Sequence, residues 1–192
     1  MVVGLVVRDN LRNLRTIQRA YLQSLAGAKQ SAVLANPYFA LGCKLRDALA
    51  RAAMRGVDVT LMIGVDQFQI QNAVANSFYP KLLKSMVNVV VHHKTQLHAK
   101  VAVVVDDTRS AVGSSNYDGL SLFVNQEANV VVRDTAFSYV LRQSIERGIA
   151  DGVVVDTEVF ARSCWYQRLW HGAAYFLYLG VLRIIALVKY SE

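Results

Sequence analysis

Cysteine and proline are scarce in this chain, two of each among 192 residues, and lysine and arginine outnumber acidic residues 21 to 14. Cys43 and Cys164 stand far apart and lack the short spacing of metal ligands, which argues for reduced thiols in a cytosolic setting. No internal repeat and no low-complexity stretch is present, so solenoids and disordered linkers are set aside. The apolar opening from Met1 to Val7 has no basic lead-in and no cleavage site; it reads as a β-strand, not a signal peptide. Nor is there a stripe of interleaved aromatic and basic residues to serve as a nucleic-acid platform, and such a partner is not expected. What the shortage of acid leaves is a net charge of +7, which suits an anionic lipid surface. Arg12, Arg15, Arg19, Lys44, Arg46, Arg51 and Arg55 fall on two predicted helices, and the plain reading of both is a solvated face.

The length suits one domain with a proper core, followed by a tail. Asp9 or Asn10 can cap a helix starting near Leu11. Leu11, Leu14, Ile17, Tyr21, Leu22 and Leu25 then recur at helical spacing up to Gly27. Ser31 to Ala35 is a buried-strand pattern closed by Asn36-Pro37. Residues 43–55 predict a helix with Leu45, Ala48, Leu49 and Ala52 inward and Gly56 as its stop. Val57, Val59, Leu61 and Ile63 alternate as a strand, and 69–85 reads as helical with a break or fresh start at Pro80. Strands follow at Val87 to Val91 and Leu97 to Val105. A turn at Asp106 to Thr108 leads to another at Ser110 to Val112. Ala128 to Val132 and a helix over Phe137 to Ile149 complete the series. This pattern predicts an α/β sandwich with a mixed sheet over residues 1–155.

Residues 156–192 are different in character. Trp165, Tyr166, Arg168 and Trp170 precede the apolar run Gly172 to Leu182; Arg183 interrupts it, and Ile184 to Val188 continue to Lys189 and Tyr190. Spanning a bilayer takes about twenty apolar residues, and a central arginine costs a few kcal/mol. The expectation is a helix lying in the membrane interface, with a transmembrane or re-entrant segment and a helix packed on the core as alternatives.

The chemistry concentrates between His98 and Glu127. An imidazole near neutrality can attack phosphorus or protonate a leaving oxygen, and Lys100 supplies a point charge for phosphoryl oxygens. Gly113-Ser114-Ser115-Asn116 can offer backbone N–H groups, hydroxyls and an amide to the same anion. A carboxylate such as Glu127 can hold the ring nitrogen that is not reacting. Taken singly, each has a bland alternative: a satisfied strand histidine, an edge lysine, ordinary turn residues, an exposed strand glutamate. His92 and His93 point to opposite sides of an extended chain and do not readily ligate one ion, so no metal and no cofactor is expected.

Taken together, these residues resemble the phospholipase D superfamily, whose signature is His-x-Lys-x4-Asp with a Gly-Ser/Gly-x-Asn turn after it. His98, Lys100, Asp106, Gly113, Ser114, Asn116 and Asn125-Gln126-Glu127-Ala128-Asn129 carry the likeness, which is closest to the C-terminal half of bacterial cardiolipin synthases. Arg8-Asp9-Asn10, Asn36-Pro37-Tyr38-Phe39 and Ala52 to Val59 fit the same subgroup. One departure lies in the motif: five residues, Val101 to Val105, separate Lys100 from Asp106 instead of four. A β-bulge is expected to absorb the extra one, and the role of Asp106 is placed in doubt. Leu41 stands where a proline is common. Met86 stands where a glycine is expected, which predicts a strained or rearranged loop.

The resemblance implies an α/β/α sandwich and phosphatidyl transfer through a phosphohistidine, with His98, Lys100, Asp106 and Glu127 catalytic and Ser114, Ser115 and Asn116 contacting phosphate. It implies a partner too, because the family pairs two His-Lys motifs and this sequence carries one. Either two copies dimerise or a second half lies elsewhere. The implied setting is the cytoplasmic face of the membrane, with phosphatidylglycerol-like substrates. A single-motif homodimeric phosphodiesterase, whether phospholipase or nuclease, and a silent membrane-docking remnant are the alternatives.

Overall fold

The computed structural model describes residues 1–9, 12–37, 42–65, 69–116, 118, 125–156, 158 and 164–189. In chain order its elements are β1 (Val2–Arg8), α1 (Thr16–Gly27), β2 (Ser31–Asn36), α2 (Cys43–Met54), β3 (Asp58–Gly64), α3 (Gln69–Lys84), β4 (Asn88–His92), β5 (Val101–Val105), β6 (Arg109–Gly113), β7 (Glu127–Arg133), α4 (Thr135–Ala150), β8 (Gly152–Val154) and α5 (Trp165–Lys189). The strands form one sheet in the order β1-β7-β6-β5-β2-β3-β4-β8. β2, β3 and β4 are parallel, as α2 and α3 cross between them, and every other pairing is antiparallel.

Each face of the sheet is covered by helices because the strands are apolar on both sides. Leu34, Leu61, Ile63 and Val89 pack against Leu25 of α1, Leu49 of α2 and Phe78 of α3. Val33, Ala35 and Met62 pack on the other face against Ile145 of α4. The mixed α/β sandwich is thus as the sequence pattern predicts. β8 is the strand that the pattern did not reveal; three residues are too few to show alternation.

Two expectations fail locally. α1 begins at Thr16, and its N-cap Arg15 provides no side-chain bond. The Asp9 carboxylate instead accepts from the N–H groups of Arg12 at 2.8 Å and Asn13 at 2.9 Å, closing a turn that does not propagate into a helix. Leu11 lies outside the described residues, and Leu14 is exposed. Pro80 does not break its helix: α3 runs through it. An interior proline costs about 3 kcal/mol. Burial of Val74, Phe78 and Leu82 offsets that, at about 1.5–3 kcal/mol for each large apolar side chain.

The ends of α2 and α3 share one hydrogen-bond pattern. After α2, Val57 N–H donates to Ala52 O (3.2 Å) and Gly56 N–H to Ala53 O (2.8 Å), with Gly56 at φ 89°. After α3, Val87 N–H donates to Leu82 O (3.0 Å) and Met86 N–H to Leu83 O (2.9 Å), with Met86 at φ 62°. Both are Schellman ends, and the second forces a methionine into the left-handed region.

The expected bulge is present. Between Ala102 and Val104 the register against β6 shifts, and the pairing with β2 shifts opposite the same stretch. β5 then ends in a turn whose central residues, Asp106 and Asp107, both have positive φ. The Asp106 carboxylate accepts from the N–H groups of Gln30 (2.7 Å), Ser31 (3.0 Å) and Lys29 (3.0 Å), tying this turn to the start of β2. Arg142 of α4 bonds both Asp107 and the Ser31 hydroxyl. Burial opposes ionisation of Asp106. The three backbone donors and the charge of Arg109 prevail and hold its carboxyl below the usual range.

α5 packs on α3 through Ala174, Tyr175 and Tyr178, with the Phe78 and Tyr175 rings edge to face at 5.0 Å. The Arg46 guanidinium lies 4.3 Å from the Phe78 centroid. On the other side of α5, Trp165, Leu169, Trp170, Phe176, Leu177 and Ile184 are exposed. Among the described residues no helix is long and apolar enough to cross a membrane.

Two stability predictions follow from these contacts. Met86→Gly relieves a left-handed side chain and is expected to stabilise by about 1 kcal/mol, raising the melting midpoint by roughly 2–4 °C in thermal unfolding. Asp106→Ala removes the tie to β2 and is expected to destabilise by about 2–3 kcal/mol. Because the folded pKa of Asp106 lies below the unfolded value of about 3.9, its contribution is full above that value and fades as pH falls through the folded one. Denaturant titrations should therefore show the parent and Asp106→Asn converging as pH drops below about 4. A gap that does not narrow at all between pH 6 and pH 2 would contradict the assignment.

Candidate active site

The candidate residues gather at one end of the sheet, where β2, β3 and β4 finish and β5 begins. His98 and Lys100 lie in the lead-in to β5, one to three residues before its first ladder pair, because the strand begins at Val101 and not at Leu97 as expected. The ladder nevertheless reaches Lys100, whose carbonyl accepts from Gly113 N–H at 3.2 Å. Both side chains emerge on one side, and Lys100 Nζ donates to His98 Nε2 at 2.7 Å. An ammonium can only donate, so with Lys100 charged this bond puts the ring proton on Nδ1 and leaves Nε2 basic.

Beside Lys100 the chain turns at Gly113 to Asn116. A Cβ on Gly113 would overlap the Asn129 side chain and the Ala128 carbonyl, so the close approach of β6 to β7 requires glycine here. Ser114 is exposed; its N–H donates to Ala128 O (3.0 Å), and its hydroxyl donates to the Glu127 carboxylate. Asn116 is half-buried, and its Oδ1 is a buried acceptor without a hydrogen-bond partner among the described residues. A free acceptor in that place is suited to a ligand hydroxyl or N–H.

The structure places three of the expected residues apart from the His98–Lys100 pair. Asp106 stands at the opposite end of β5 from Lys100, six residues on, about 20 Å at roughly 3.4 Å per strand residue before the bulge shortens it. Its oxygens are occupied by backbone donors from Lys29, Gln30 and Ser31. Ser115 is turned inward and only 1% exposed; its N–H donates to Asn129 Oδ1 (3.3 Å) and its hydroxyl to Asn116 O (3.3 Å), which leaves no hydroxyl for phosphate. Glu127 stands on β7, two strands from β5, and is held by Ser114. No hydrogen bond joins it to His98 among the described residues.

A buried polar network that sequence reasoning missed supports the turn from below. Asn129 Nδ2 donates to the Tyr21 hydroxyl, Tyr21 also bonds Ser115, and Asn36 Nδ2 donates to Ser115 O at 3.4 Å. Burial pushes the Tyr21 phenol far above its ordinary pKa, the Ser115 and Asn129 bonds only partly oppose this, and the charge of Glu127 adds to it. Tyr21 therefore stays a neutral hydroxyl. It reads as core in the sequence because it shares the apolar face of α1; only the contact across to β7 reveals its second task. Arg8, at the end of β1, is likewise buried and donates to Asn125 O. His92 lies in β4, its Nδ1 3.0 Å from Gly148 O and its Nε2 3.1 Å from the Thr95 hydroxyl.

Comparison with known proteins matches this arrangement. Residues 21–149 fit the family model described as cardiolipin synthase, PLD-like domain. Cardiolipin synthase B of Escherichia coli (strain K12) is 39% identical over 167 residues, 86% of this chain and 40% of that protein. The minor cardiolipin synthase ClsB of Bacillus subtilis (strain 168) is 29% identical over 167 residues, 84% of this chain and 42% of that one. The chain thus spans about two fifths of the length of these relatives. Among solved structures, the phospholipase D family member Nuc from Salmonella typhimurium has a TM-score of 0.65 over 80% of this chain and 97% of its own, at 18% identity. Phosphatidylserine synthase from Haemophilus influenzae Rd KW20 reaches 0.68 over 97% of this chain and 47% of its own, at 15% identity. These structural likenesses speak for the fold alone. With the family model covering most of the sheet and its helices, the chain belongs to the phospholipase D-like family of cardiolipin synthases.

Proposed function

We propose that this chain supplies one half-site of a phosphatidyltransferase that joins phospholipids, as in cardiolipin synthesis. The observation that carries the reading is the bond from Lys100 to His98 Nε2, set on exposed chain beside the Gly113 turn. A basic Nε2 can take the proton of an attacking alcohol, and the imidazolium so formed can return it to a leaving one. Lys100 offsets charge on the phosphoryl oxygens, with Asn116 near them. The reaction needs a second imidazole. In the first half, His98 enters protonated at Nε2, its bond from Lys100 released, and that second ring's nitrogen forms a P–N bond as the donor alcohol leaves with the His98 proton. In the second, the acceptor oxygen bonds phosphorus as the P–N bond breaks, and its proton passes to His98. Only His98-x-Lys100 is followed by the Asp and the Gly-Ser-x-Asn turn of the signature, which His92-x-Lys94 is not, so the other ring comes from a second copy or from a separate half.

The setting is the membrane surface on its cytoplasmic side, with a phosphatidylglycerol-like substrate. The exposed face of α5 supports this. It is apolar, and the sequence of the helix has basic residues but no acidic one. The domain reading is accordingly a catalytic half-domain over 1–155 and a membrane-associating tail over 156–192.

Purified chain on phosphatidylglycerol vesicles should release cardiolipin or phosphatidic acid, and His98→Ala should slow this by about 10²–10⁴-fold. Light scattering on the same sample reports its state; an active monomer, or a dimer in which His98→Ala matches the parent, contradicts the half-site. For docking, Trp165 and Trp170 emission should shift to the blue on vesicles containing anionic lipid, less so at high salt. Phe176→Glu with Leu177→Glu should weaken partitioning at least about ten-fold. An unmoved spectrum on anionic vesicles counts against membrane docking.

A further inference from the structure

Arg15, Gln18, Gly42, Cys43 and Lys44 line a cavity of about 230 Å³ where the first turn of α1 meets the start of α2. Gly42 caps α2 without a side chain to offer, and the first turn holds no acid. The N–H groups of Cys43 and Lys44 therefore have no acceptor among the described residues. Such an end carries roughly half a positive charge and favours an anion. The Arg15 and Lys44 side chains are exposed and unpaired among the described residues. They read as solvated in the sequence, and the fold brings them to one rim.

Gln18 points to a ligand independently of that helix end. It is only 4% exposed, it lines the cavity, and its carboxamide makes no hydrogen bond among the described residues. Burying an unsatisfied amide destabilises a fold, and a ligand oxygen would satisfy it. No acidic side chain lines the cavity. Two unit charges and the helix end together suit a dianion. A phosphomonoester carries close to two negative charges at neutral pH and three acceptor oxygens. A phosphodiester carries one charge and two free oxygens, so the ligand selected here differs in class from the group handled beside Lys100. Lys44 also lines a second cavity of about 400 Å³ between α1 and α2, where Leu22, Ala26 and Ala48 are apolar. The acid there, Asp47, is held by Lys81 at 2.9 Å. That space offers an apolar wall to the carbon body of the ligand.

We propose that the cavity ahead of α2 is a binding site for a phosphomonoester. The phosphate accepts from the Cys43 and Lys44 N–H groups and the Gln18 amide, between the charges of Arg15 and Lys44, and the body of the molecule lies along the groove between α1 and α2. None of these residues is a catalytic candidate, and the inference stands without the transferase reading. A bound dianion ties the start of α1 to the start of α2 and so stabilises the folded chain.

The test uses the full chain, methyl phosphate as the probe and dimethyl phosphate as its diester control. In ¹H–¹⁵N spectra, methyl phosphate should give saturable shifts of the Gln18 side-chain amide and of the Cys43 and Lys44 backbone amides. Dimethyl phosphate should bind about ten-fold or more weakly. A hundred-fold excess of methyl phosphate over Kd should raise the melting midpoint by roughly 5–8 °C. Gln18→Leu should weaken methyl phosphate binding about ten-fold or more. So should the exposed pair Arg15→Gln with Lys44→Gln, which keeps the test open where the buried change does not fold. Vesicles of matched surface charge separate two sources of the ligand. A parent chain that sediments more with phosphatidic acid than with phosphatidylglycerol, a preference lost in Gln18→Leu, takes a lipid head group; equal sedimentation assigns a soluble phosphomonoester. Absent shifts, equal affinity for dimethyl phosphate, or folded variants that bind methyl phosphate as the parent does would each overturn the proposal.

Discussion

β5 is pinned at both ends, and the arrangement of the functional residues depends on that. At one end the Asp106 carboxylate gathers three N–H groups from the start of β2; at the other the Lys100 carbonyl takes the N–H of Gly113. Between the pins the strand carries one residue more than the family pattern, and the bulge near Ala102 to Val104 absorbs it. Side chains alternate along a strand, so without the bulge the extra residue would turn either Asp106 or the His98–Lys100 pair to the wrong face. The distortion is confined to the middle of the strand, where neither end has to move.

The polar groups at the site end divide into two layers. Above, His98, Lys100 and Ser114 face solvent, the first two bonded to each other and Ser114 to Glu127. Below, Tyr21, Asn36, Ser115 and Asn129 are almost wholly enclosed and bond one another. The lower layer fixes the backbone of the turn without touching a substrate. Burial of a phenol and two carboxamides is tolerated because each finds a partner, and a satisfied buried network is rigid.

The extent to which this was legible in the sequence differs by element. β2, β3 and α2 follow from apolar periodicity, and Gly56 ends α2 as composition suggests. The start of α1 was not legible, because Asp9 is a sound cap by residue type and only its actual partners, Arg12 and Asn13, reveal a closed turn. Pro80 was misread for a related reason: propensity predicts a break, and the packing of Phe78 and Leu82 outweighs it. For α5, composition favoured a membrane-interface helix over a packed one, and the helix has one face on α3 and another apolar face exposed.

Local spacing by itself determined which residues meet. Two positions along an extended chain put His98 and Lys100 on one side, and a tight glycine turn with a small polar sequence can be read from its letters, since both are properties of a few adjacent residues. Tertiary structure alone decided what each candidate is free to do. Asp106, Ser115 and Glu127 are all polar and all near the motif in sequence. Their partners come from β2, from α1 and β7, and from the Gly113 turn, and a hydrogen bond already made to a distant strand withdraws a group from chemistry whatever its sequence neighbours suggest.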